Sequence, residues 1–157
     1  EIIQRDWSSD VCSSDLGEPA PGPGTSRELP PGWAGGYLES VHWEWVDGEF
    51  ARPGPATVWT RLRGEVVAGE RPSGAQRVVA VADSASGISA VADLRTTVFV
   101  NTELTVHLRR EPEGERMWMR AVSALEPRGV GLASSVLGDD GGSLGTGAQS
   151  LYVAPRR

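Results

Sequence analysis

Along the middle of the chain, Val41, Trp43 and Trp45 alternate with His42, Glu44 and Val46. This period of two predicts a half-buried strand. A second strand is expected at about residues 56–63, with Trp59, Arg61 and Arg63 facing opposite to Val58, Thr60 and Leu62, and the intervening ARPGP as the break between them. The period then lengthens: Ala75, Val78, Val79 and Ala82 fall at i, i+3, i+4 and i+7, and Ser73 beyond Pro72 suits an N-cap. That spacing predicts a helix over 74–86 whose face of small and medium side chains lets a sheet approach closely. Four further strand-like runs follow, at about 97–110, 116–125, 130–137 and 145–154, closed in turn by EPEG, EPRG, DDGG and Pro155. One helix between two strands and four strands excludes a parallel βαβ arrangement and predicts an α+β fold, with the helix packed on one face of an antiparallel sheet.

The ends of this pattern set the expected domain organisation. Residues 1–16 contain the doublet SSDVCSSD and show no sustained period. The string RDWSSDVCSSDL resembles a translated sequencing adapter, so residues 1–16, with Cys12, are expected to be an artefact or a disordered tail and are set aside. In residues 17–31, five prolines favour an extended linker over a ladder or helix. One domain is then expected over 32–157, since 157 residues suffice for a single ordinary core.

Charge and composition narrow the function classes. The net charge is −6 and every one of the 15 cations is Arg, so no basic field exists to attract nucleic acid. No apolar run approaches the roughly 20 residues of a membrane helix, and the start lacks the order of a signal peptide. A soluble, cytoplasmic protein is expected. A single cysteine rules out a disulfide framework or a cysteine metal site within the chain. No nucleophile elbow, zinc-helix, phosphate-loop or calcium-loop motif is present, so the expectation is no cofactor and no metal. Any hydrolysis would have to activate water with a carboxylate and neutral polar groups.

Asp83 is the most informative carboxylate, because it follows Ala82 at the edge of the predicted apolar face. A partly desolvated acid where helix meets sheet suits general-base work on water, although an Asp near a helix end also commonly bonds a neighbouring turn or faces solvent. Gln149 shares a strand face with Leu151 and Val153, the more apolar of the two sets, and a buried amide there requires partners. His42 and His107 read as structural or surface groups. The tryptophans read as sheet packing, and Arg61, Arg63, Arg109 and Arg110 as solvated positions that could also contact phosphates.

Three segments carry a family resemblance: VVAVADSASGISAVADL on the helix, FVNTELTVHLRREPEG on the following strand and GTGAQSLYV on the last. Together they resemble the second half of the acyl-CoA thioesterase II family, whose members carry two fused hotdog domains, each a helix wrapped in an antiparallel sheet. The strings GPATVW and LTVHL are also similar to actinobacterial thioesterase sequences. The resemblance implies a hotdog fold, an acyl-CoA substrate, hydrolysis to free acid and CoA, a place in lipid metabolism, and a second hotdog as partner. That partner is either a missing N-terminal half or a second copy, and the chain by itself could be inactive. In that family a helix acid, a hydroxyl or amide side chain on the next strand and a glutamine on the last strand hold the attacking water. By resemblance the acid falls on Asp83, the glutamine on Gln149, and the middle position on Asn101 or its neighbour Thr102. Two rivals accompany this reading: a non-catalytic acyl-CoA-binding or scaffold half, and a hotdog hydratase or dehydratase, which would need a histidine close to Asp83.

Overall fold

A computed structural model of the chain describes residues 17–50, 52–93, 95–126 and 128–156. The expected artefact at residues 1–16 lies outside the described residues. In chain order the elements are β1 (Thr25–Ser26), α1 (Gly36–Ser40), β2 (Val41–Glu49), β3 (Arg52–Leu62), α2 (Gly74–Ala82), α3 (Ala85–Ile88), β4 (Thr97–Leu108), β5 (Arg116–Glu126), β6 (Val130–Asp139) and β7 (Gly142–Pro155). All seven strands join one antiparallel sheet in the order β1-β2-β3-β5-β6-β7-β4.

Helices α2 and α3 pack on one face of this sheet. Val78, Val81, Ala82, Ala85 and Ile88 meet Val41, Trp43 and Trp45 of β2, Val58 of β3, Met117 and Met119 of β5, and Leu151 of β7 in a single buried cluster. Helix α2 begins where the sequence predicts, with Ser73 and Gln76 forming a reciprocal capping box. Its buried stripe is rotated from the expected one: Val81 and Ala85 are inside, whereas Ala75 and Val79 face outward. The expected single helix over 74–86 is also interrupted at Asp83 and Ser84.

The break between the first two strands is placed differently as well. ARPGP does not separate them, because β3 already starts at Arg52 and pairs with Glu49. Pro53 and Pro55 are tolerated there because the register of β2 against β3 shifts at this point and β5 pairs with β3 only from Ala56 onward.

Residues 17–26 form a strap across the opposite, outer face rather than a free extended linker. Thr25 and Ser26 pair with Trp45 and Glu44. Ala20 packs on a second cluster of Trp59, Trp118 and Val136. The Trp59 indole N–H donates to the Gly22 carbonyl at 3.0 Å, Ser143 N–H to the Glu18 carbonyl at 2.9 Å, and Arg120 pairs with the Glu18 carboxylate. This cover explains why Trp59 is as buried as its inward-facing neighbour Val58.

Candidate active site

The interruption of the helix creates the site. In an unbroken α-helix the Ser86 N–H would bond Ala82 and the Gly87 N–H would bond Asp83. Instead Gly87 N–H donates to the Ser84 carbonyl at 2.9 Å. The Asp83 carbonyl and the Ser86 N–H are thereby released, and buried backbone groups need partners. Two side-chain amides from the sheet supply them.

Gln149 of β7 is fully buried. Its Nε2 donates to the Asp83 carbonyl at 2.8 Å and to Asp83 Oδ1 at 3.3 Å, and its Oε1 accepts from the Ser86 N–H at 3.0 Å. Asn101 of β4 repeats the arrangement: Nδ2 donates to the Asp83 carbonyl and to Oδ1, both at 2.9 Å, and Oδ1 accepts from Ser86 Oγ at 2.7 Å. The four hydrogens of the two amides thus meet two oxygens of one residue. Among the described residues, none donates to Asp83 Oδ2.

Asp83 itself is exposed in the isolated chain and not enclosed between helix and sheet. It lines a cavity of about 350 Å³ together with Ser84, Ser86, Gly87 and Asn101 and with Trp33, Tyr37, Leu38, Phe50, Phe99 and Val100. The Tyr37 hydroxyl donates to the Ala80 carbonyl at 2.8 Å and shares a 2.6 Å hydrogen bond with Ser84 Oγ. Burial pushes this phenol above its ordinary range; the bond to Ser84 opposes the shift and the nearby Asp83 carboxylate adds to it.

The structure therefore brings three of the four candidate residues together and sends the fourth elsewhere. Thr102 donates its hydroxyl to the Ser150 carbonyl at 3.0 Å on an exposed stretch of β4. Asn101, and not Thr102, points to Asp83 because the register of β4 against β7 shifts between Asn101 and Glu103. Neither histidine approaches: His42 pairs with Glu44, and His107 sits exposed opposite Thr146. Arg109 and Arg110 bond Ser143 and Asp139 at the β6–β7 turn, away from this cavity. Ser86 and Tyr37 were not foreseen in the sequence. The only available signal for Ser86 was its place three residues after Asp83, one helical turn on. Among the described residues no group of three His, Cys, Asp or Glu could hold a metal ion.

The model of the acyl-CoA thioesterase C-terminal domain family matches residues 14–153, nearly the whole chain. The chain belongs to this family. A comparison with curated proteins gives no match.

Solved structures similar to this acyl-CoA thioesterase C-terminal domain include a thioesterase family protein from Silicibacter pomeroyi, 20% identical over 74% of this chain and 86% of that one, with a TM-score of 0.53. A hypothetical thioesterase from Streptococcus pneumoniae TIGR4, solved with coenzyme A, is 12% identical over 76% and 92% of the two chains, with a TM-score of 0.55. The smu.793 protein of Streptococcus mutans UA159, bound to acetyl CoA, is 11% identical over 74% and 91%, with a TM-score of 0.54. At these identities the similarity shows the fold, and that fold is the hotdog. No helix among the described residues of the domain is long and apolar enough to cross a membrane.

Proposed function

We infer that this chain hydrolyses an acyl-CoA thioester to a carboxylic acid and free CoA, with Asp83 as the general base. The observation that carries the reading is the convergence of Asn101 and Gln149 on Asp83, a residue lining the apolar cavity, which holds it by two hydrogen bonds to its carbonyl and two to Oδ1, with none from the described residues to Oδ2. In this reading Oδ2 takes a proton from water as the water oxygen attacks the thioester carbon. The tetrahedral intermediate then expels the CoA sulfur, which leaves as the thiol once it has gained that proton. The amides act through Asp83, so Asn101 and Gln149 are positioning residues in this mechanism, a different role from direct contact with the water. The apolar wall of Trp33, Phe50 and Phe99 would take the acyl group.

A second hotdog completes the proposed site. Strand β4 is the last in the sheet and offers a 12-residue edge with Val100 half exposed, and Asp83 and its cavity lie open beside it. The partner is a second copy or the preceding half of a longer chain.

Free-thiol release from a panel of acyl-CoA esters tests the proposal. Asp83→Asn keeps an oxygen in the Oδ1 place and puts an NH2 at Oδ2, so the fold should persist while the rate drops at least about 100-fold, the usual range for loss of a general base. A wild-type chain and an Asp83→Asn variant with equal rates would remove the base assignment. The same amides also splint a broken helix, which is the observation favouring a binding-only half. Such a protein would gain thermal stability with acyl-CoA and release no thiol.

A further inference from the structure

We propose that Ser86 is a positioning residue that sets the direction of both side-chain amides at Asp83 and thereby the aim of its carboxylate. The proposal rests on the hydrolase reading above for its catalytic consequence, and on the hydrogen-bond pattern alone for its structural one. A carboxamide can turn end for end at little steric cost, since its oxygen and NH2 differ little in size. Turned over, the amide of Asn101 or Gln149 would set an oxygen against two oxygens of Asp83 and lose two hydrogen bonds. Asp83 by itself therefore favours the observed direction, and a donor at the oxygen end of each amide adds to that preference.

Both oxygen ends meet the same residue. The Ser86 backbone N–H can only donate, and it donates to Gln149 Oε1 at 3.0 Å. Both Asn101 Nδ2 hydrogens are engaged by Asp83, so the 2.7 Å contact between Ser86 Oγ and Asn101 Oδ1 requires the hydroxyl to be the donor. Ser86 is 6% exposed, which leaves little room for bulk water to replace either bond. The N–H is free for this purpose only because the helix is broken after Ala82. Any substitution except proline keeps that N–H, so Gln149 stays anchored. Replacing the side chain frees Asn101 alone.

The experiment uses the full chain, with steady-state CoA release and nitrogen-resolved NMR of the Asn101 side-chain NH2. In the wild type this NH2 pair should lie away from the positions of a free carboxamide and exchange slowly with water. Ser86→Ala should move the two signals toward the free-carboxamide positions, speed their exchange with water and lower kcat about tenfold, the rate equivalent of one hydrogen bond, with KM within about twofold. Ser86→Thr, which keeps the hydroxyl, should restore both. In an Asn101→Ala background the Ser86→Ala loss should vanish. An unchanged NH2 pair in Ser86→Ala, or an equal rate loss with Asn101 already removed, overturns the proposal. Failure of the hydrolase reading looks different: Asp83→Asn would keep its rate, or the wild type would release no thiol, while the Asn101 signals still depend on Ser86.

Discussion

Asn101 and Leu104 face the same side of the sheet although three positions separate them, since Asn101 pairs with Leu151 and Leu104 with Gln149, both inward residues of β7. An unbroken strand forbids this, because side chains alternate with period two. The bulge at Thr102 and Glu103 supplies the extra residue, and side chains replace the lost ladder contacts: Thr102 donates to the Ser150 carbonyl, and Glu103 accepts from the Ser150 N–H and hydroxyl, each at 3.0 Å.

This geometry separates two adjacent residues that the sequence left equivalent. Asn101→Ala should lower kcat for CoA release at least about tenfold, because it removes two bonds to Asp83. Thr102→Val should stay within about threefold, since it loses one exposed hydrogen bond, to the Ser150 carbonyl, and none to Asp83. Comparable losses in the two variants would contradict the assignment of Asn101.

Acid should weaken the fold through two carboxylates held below their ordinary values. Bonds from Ser150 and Thr105 lower Glu103 below 4.5. Burial alone would raise Asp139, but the Arg110 guanidinium and the N–H groups of Glu113 and Gly141 more than offset it and hold it below 3.8. A depressed folded-state value means that the stabilisation is complete above the unfolded value and is lost as pH falls through the folded one. The thermal midpoint should therefore be flat between about pH 7 and 5 and fall below about pH 4. Asp139→Asn should flatten that acid limb more than Glu103→Gln, because Asp139 is 1% exposed whereas Glu103 lies at the surface.

How far the sequence reveals this molecule depends on the range of the interaction concerned. The helix start was legible because the N-cap Ser73 lies next to the first turn it caps, and the structure adds Gln76 as its reciprocal partner. Strand β2 was legible because burial imposes a period of two on Val41 to Trp45, and β4 to β7 because turn signals bound each run. The helix break carries no Gly or Pro at Asp83 or Ser84, and the groups that compensate it come from Asn101 and Gln149, far along the chain. The bulge likewise has no glycine to announce it. The outward turn of Val79 and the burial of Trp59 depend on which faces other segments cover, and alternation cannot tell a solvent face from one covered by a strap.

The strap should be a measurable part of the fold. Removing residues 1–26 would uncover Trp59 and Trp118, now 2% and 1% exposed, and the outer edge of β2. Loss of this apolar cover should cost about 2 kcal/mol and lower the thermal midpoint by about 5 °C. Tryptophan emission should also shift to the red. An unchanged midpoint with unshifted emission would show that this segment contributes nothing to the domain.

Gln149 is the position where stability and the proposed activity depend on the same atoms, and two substitutions separate them. Gln149→Leu fills the space but strands the Ser86 N–H and removes two donors from Asp83, all beside a group with no exposure. Leaving a buried donor unpaired costs about 1–3 kcal/mol, so the midpoint should drop by about 5 °C and thiol release should fall as well. Gln149→Glu retains an acceptor for the Ser86 N–H but sets a carboxylate against Asp83 Oδ1. At neutral pH two like charges in contact destabilise each other, and lowering the pH adds a shared proton that relieves the conflict. The glutamate variant should therefore gain stability relative to wild type as pH falls from about 7 to 5, while the leucine variant keeps a constant deficit. Parallel deficits for both variants across that range would mean that residue 149 fills space and does not hold the carboxylate of Asp83.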